Sequence, residues 1–128
     1  MSYYFTKTIE ATFDEAIEKV TAELKEKGFG VLTQIDVKGT LKEKLNVDFQ
    51  PYTILGACNA PFAHKALQSE NKIGTMLPCN VIVQDVGGGK VEVAAIDPAA
   101  SMQAVDNPAL GKIAGDVREM LQSVINRL

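Results

Sequence analysis

Apolar residues recur with two different periods along this chain, and the switches between them mark out its elements. Tyr3 and Phe5 alternate with Tyr4 and Thr6, which predicts a strand over residues 2–9. From Phe13 the spacing lengthens, and Phe13, Ala16, Ile17, Val20 and Leu24 fall on one face of a helix. Thr12 and Glu15 form a capping box at its start, and Gly28 supplies the left-handed residue that ends it. Residues 30–36 predict a second strand. Gly39 then breaks the chain. Thr40 with Glu43 predicts another capping box over a short helix, Leu41–Leu45, terminated by a left-handed Asn46. Phe49 to Ala57 predicts a third strand, its start held to an edge or bulge by Pro51.

Beyond this point the punctuation is stronger. Asn59 is placed to cap a helix whose first residue is Pro61, with Phe62, Ala63, Ala66 and Leu67 as its apolar stripe. Residues 70–79 predict a loop. Val81–Val86 predicts a fourth strand, which Gly87, Gly88 and Gly89 turn back into a fifth, Lys90–Ile96, ended by Pro98. Asn107 and Pro108 open the last helix. Its stripe runs through Leu110, Ile113, Ala114, Val117, Leu121, Val124, Ile125 and Leu128, the strongest helical pattern in the chain. The order β-α-β-α-β-α-β-β-α predicts an α+β fold: a single mixed or antiparallel sheet with its long helices on one face. No internal repeat, low-complexity segment or linker interrupts it, so residues 1–128 read as a single domain.

Composition narrows the function classes. A hydrophobic share of 46% and a charged share of 23% over 128 residues describe a soluble globular chain with an ordinary core. The net charge of −3 supplies no basic face, which argues against nucleic acid as a partner. No apolar run reaches the length of a membrane span. The first residues lack a basic start followed by an apolar stretch, so no secretory signal is read and the expected location is cytoplasmic. There is no Gly-x-Ser-x-Gly, and the triple glycine leads into a strand rather than a helix, so it is a turn and not a phosphate cradle.

The candidate chemistry lies in two Cys–Asn pairs. Cys58–Asn59 closes the third strand and Cys79–Asn80 opens the fourth, and these are the only cysteines. Thiols and carboxamides at strand ends are placed to face a cleft. Each residue also has a plain structural reading. Asn59 is a helix N-cap or a ligand-facing amide, roles that do not exclude each other. Asn80 is a poor strand former ahead of three β-branched residues, so it holds a loop or faces a ligand. Cys58 and Cys79 are compact apolar fillers, a redox or ligand-binding thiol pair, or part of a metal or haem site. With one histidine, His64, and no Cys-x-x-Cys, the metal signal is weak and no metal site is assigned; His64 itself reads as a solvent-facing helix residue. Asp97, before Pro98, terminates a strand or orients a ligand beside the Cys–Asn segments.

These residues also carry a family likeness. Tyr52-x-Ile54–Leu55–Gly56–Ala57–Cys58–Asn59, then Pro61, Ala63 and Ala66–Leu67, then Gly74-x-x-Leu77–Pro78–Cys79–Asn80–Val81-x-Val83, then Asp97–Pro98, resembles the family of domains of unknown function 302. The likeness covers nearly the whole chain. It implies a TBP-like β-α-β(4)-α core, with two short extra helices around residues 40–46 and 61–68, and a homodimer; it implies no activity. The first block departs from the family's Cys-Asn-Pro-Pro, with Ala60 after Asn59 and only Pro61 kept. Asn46 stands where the family's short helix usually ends in glycine.

Three functional expectations follow. The first is a module that binds a small ligand or redox cofactor, unidentified by the sequence, between the two pairs, with Cys58, Asn59, Cys79, Asn80, Asp97 and His64 as site residues. The second is a structural or interaction homodimer without such a site. The third is a thiol- or metal-dependent enzyme, which requires Cys58, Cys79 and His64 to converge.

Overall fold

The structure is a computed structural model that describes residues 2–128. Its strands are β1 (Tyr4–Glu10), β2 (Gly30–Asp36), β3 (Tyr52–Cys58), β4 (Cys79–Gly87) and β5 (Lys90–Ile96). They form one sheet in the order β1-β5-β4-β3-β2, antiparallel throughout. The helices are α1 (Phe13–Glu26), α2 (Val37–Leu45), α3 (Ala60–Ser69), α4 (Pro98–Ser101) and α5 (Pro108–Asn126), with a 3₁₀ turn at Ile73–Met76. The expected α+β architecture is therefore present, and its core is β-α-β(4)-α. α2 and α3 are the two insertions expected; α4 and the 3₁₀ turn are additional.

Local chemistry accounts for most of the boundaries. The capping box at α1 forms as read, with Thr12 Oγ1 accepting from Glu15 N and Glu15 Oε1 accepting from Thr12 N. Gly28 follows that helix at φ +83, and Asn46 follows α2 at φ 53. The start of α2 differs from the reading. The helix begins at Val37, not Leu41, because the Asp36 carboxylate lies within reach of the Gly39 N–H (3.0 Å) and caps the chain one turn before Thr40 can. β3 begins at Tyr52, after Pro51 rather than across it. At the other end of the chain, Pro108 opens α5 behind an Asn107 cap, whose Oδ1 accepts from Ala109 N.

Residues paired across a ladder share a face of the sheet. The pairs Leu55–Val81, Val83–Val93 and Val81–Ala95 point to one side and are fully buried. They meet Ala16, Val20 and Leu24 of α1 and Val117, Leu121 and Val124 of α5 in one core. Burying each of the leucines contributes roughly 1.5–3 kcal/mol. The opposite face carries Ile54–Ile82, Ile82–Ala94, Tyr52–Gln84 and Gln84–Glu92, and neither long helix covers it.

Candidate ligand-binding site

The chain leaves β3 at Cys58, turns at Asn59 and enters α3, while β4 begins at Cys79 one strand over. Ala57 pairs with Cys79, so the two cysteine corners lie side by side at one end of the sheet. They open onto a shared hollow of about 30 Å³ beneath α3, α4 and α5. Phe62 of α3, Met102 after α4 and Ile113 of α5 wall it, together with Pro78. Apart from the two thiols, the Met102 thioether and the Asn59 amide, every lining side chain is hydrocarbon. Both cysteines are half-buried and neither is in a disulfide. Burial, and secondarily the neighbouring Cys58 thiol, push Cys79 up from the ordinary 9.0 to about 11. At neutral pH Cys79 is therefore a protonated, weakly nucleophilic thiol.

Gly56 sets the width of this corner. A Cβ there would lie 2.3 Å from Thr33 Oγ1 and 2.9 Å from Pro78 Cγ, so only glycine lets β2 and the Pro78 wall close on β3. Asn59 occupies the expected N-cap position, but its side chain makes no capping bond. Its amide instead donates to the Lys27 carbonyl (3.3 Å) and approaches Met120 Sδ (3.8 Å). Gly28 makes room for it, since a Cβ there would stand 3.2 Å from Asn59 Nδ2. Asn59 thus ties the start of α3 to the turn after α1, at the rim of the hollow.

The remaining predicted site residues go elsewhere. β4 begins two residues earlier than the reading placed it, so Cys79 and Asn80 are successive strand residues and point to opposite faces. Asn80 is exposed on the uncovered face, paired with Gly56, and not buried. His64 is exposed on α3 and does not line the hollow. Asp97 is buried and fully committed. One oxygen accepts from Ala99 N as the cap of α4 (3.0 Å), and the other pairs with Arg118 Nε (3.1 Å). It shapes the site indirectly, by holding α4 and α5 against the end of β5. Among the described residues no group of three His, Cys, Asp or Glu side chains is placed to hold a metal ion.

Sequence reasoning missed Phe62, Pro78, Met102 and Ile113 as walls. Phe62 and Ile113 were visible only as members of helical stripes. Met102 follows a helix too short to leave a period, so no signal in the sequence marks it.

A model of the family described as domain of unknown function DUF302 matches residues 5–128. A crystal structure of an uncharacterized conserved protein DUF302 from Bacillus stearothermophilus superposes with a TM-score of 0.91. The two chains are 31% identical, over 99% of this chain and 98% of that one. No curated protein matches the chain. No described helix is long and apolar enough to cross a membrane. A family match over nearly the full length, joined by a superposition that carries both Cys–Asn corners within it, places this chain in the DUF302 family of domains of unknown function.

Proposed function

We propose that the chain is a small-ligand-binding module of one domain, with its site in the hollow between the two Cys–Asn corners. The observation that carries this reading is that Cys58 and Cys79, distant in sequence, line one apolar cavity. Its size selects the ligand. About 30 Å³ takes a group of a few heavy atoms, or the apolar end of something larger. Organic redox cofactors occupy sites of roughly 300–1,000 Å³, which removes them from this reading. The Cys58 and Cys79 thiols, kept free and largely protonated in the case of Cys79, act as soft, polarisable contacts rather than as a nucleophile pair. His64, on the outer surface of α3, gives a catalytic thiol no base.

Methyl-labelled alanine and methionine report the site by NMR. A panel of apolar molecules of a few heavy atoms is expected to contain members that shift Ala57, Ala63 and Met102 together. Filling the hollow with Ala63→Met is expected to abolish those shifts while the rest of the spectrum persists. A panel that moves none of these methyls refutes the reading.

One observation favours a second role, homodimerisation through the β2–α2 arm. α2 has no buried residue, and Leu32, Ile35, Leu45, Val47 and Phe49 are exposed around it. Nine residues are too few for a helix to persist on propensity alone, so a partner surface that covers this stripe is expected. Sedimentation at micromolar concentration should show a dimer, and Leu45→Glu should dissociate it; a monomeric native chain excludes the role.

A further inference from the structure

The uncovered face of the sheet holds a second, larger concavity, of about 390 Å³, which Asn80 borders from the side opposite the cysteine hollow. We propose that it binds an organic ammonium ion carried on an apolar or aromatic body.

The tyrosines give the first reason. The chain contains three, and all three line this groove. Tyr3 and Tyr4 stack edge to face at one end, their centroids 5.0 Å apart. Tyr52 stands at the other end, opposite Gln84 in the β3–β4 ladder. Ile82 and Ala94, a ladder pair, form the apolar floor between them. Aromatic walls around an apolar floor with a few fixed polar groups are the makings of a small-molecule site, and the volume falls within the usual range of roughly 300–1,000 Å³.

Charge gives the second reason. Glu92 is the one ionisable side chain in the groove besides the tyrosines. A chain of amides aims it. Gln50 Nε2 donates to Gln84 Oε1 (3.2 Å), and Gln84 Nε2 donates to Glu92 Oε1 (2.8 Å). Among the described residues nothing bonds to Glu92 Oε2, and no Lys, Arg or His pairs with the carboxylate. A half-buried, oriented and uncompensated carboxylate matches a cationic N–H donor, and the tyrosine rings that wall the groove suit an apolar or aromatic body.

The spacing sets the shape of the ligand. Tyr4 lies opposite Ile96, four residues along β5 from Glu92, which is about 13 Å at a rise of 3.3 Å per residue. An ammonium at Glu92 therefore leaves room for a body that runs over Ile82 and Ala94 toward the Tyr3–Tyr4 pair and the Asn80 amide. This site is on the opposite face from the hollow, and its test stands or falls separately.

The chain has no tryptophan, so its tyrosine emission reports this groove alone. Phenylbutylamine is the probe, and phenylbutanol is its uncharged counterpart. Saturable quenching by the amine is expected, with the alcohol at least about tenfold weaker. Glu92→Gln keeps an acceptor for Gln84 and removes only the charge; it should weaken the amine about tenfold and leave the alcohol unchanged. Glu18→Gln, on the far side of α1, is expected to change neither. Three results overturn the proposal: no quenching by the amine, equal binding of amine and alcohol, or a tyrosine signal that changes with protein concentration and blocks the amine, which would mean that a second copy of the chain covers the face.

Discussion

Replacing Cys79 by alanine should make the protein less sensitive to alkaline pH. In the folded state the Cys79 thiol sits at about 11 against an ordinary 9.0, chiefly because burial penalises its charged form. The folded value is the higher one, so the contribution of this group is fully present below pH 9 and is lost as pH rises through 11. The gap corresponds to about 3 kcal/mol once the titration is complete, and about half of that by pH 10. Lysines and tyrosines titrate over the same range, but they are common to both proteins and cancel in the comparison. Urea denaturation from pH 8 to pH 10.5 is the assay. The alanine variant starts lower, because it leaves a void where a sulfur packed against the core. The gap between the two proteins should then shrink steadily above pH 9. A gap that stays constant to within a few tenths of a kcal/mol would mean that Cys79 ionises freely in the folded state, and that the corner is open to water.

Three further outcomes follow from the packing. Gly56→Ala drives a Cβ into Thr33 Oγ1 and Pro78 and is expected to cost about 1–3 kcal/mol in urea melts; adding Thr33→Ala should restore part of the loss, since it removes the nearer clash. Asp97→Ala removes both the α4 cap and the partner of the half-exposed Arg118, for a loss of about 1–3 kcal/mol, whereas Asp97→Asn keeps the cap oxygen and should lose less. Leu121→Ala, at a fully buried position in the core, should cost about 3–5 kcal/mol by thermal or urea unfolding.

The elements legible in the sequence are those whose signals are local. The triple-glycine hairpin forms because all three residues take positive φ, which admits both the turn and the register shift between Asp85 and Gly87 beside it. α1 and α5 combine a cap with several turns of unbroken stripe. α2 illustrates the limit, since its start was read from Thr40 and Glu43, and only geometry shows that Asp36 reaches Gly39 and caps the helix one turn earlier. The site was half legible for a related reason. The convergence of Cys58 and Cys79 was an inference from strand ends, and the ladder provides it. Asn80 was lost to an error of two residues in where β4 begins, because a strand sends neighbours to opposite faces. Asn59 was read as a cap from its place before Pro61, but the helix start does not reveal that the Lys27 carbonyl, in the turn after α1, would receive its amide in space that Gly28 leaves open. The uncovered groove left no trace as a motif, since Tyr4, Tyr52 and Glu92 come from three separate strands, β1, β3 and β5, that only the sheet order brings onto one face.

The central claim is that the two cysteine corners enclose one apolar space that a small guest can enter. Crystals of the protein held under xenon pressure test it directly, since xenon enters dry apolar cavities and is located by its anomalous scattering. The predicted result is a single strong site between Phe62 and Met102, in contact with both cysteines. Xenon absent from that position, or bound where only one cysteine reaches it, would contradict the account.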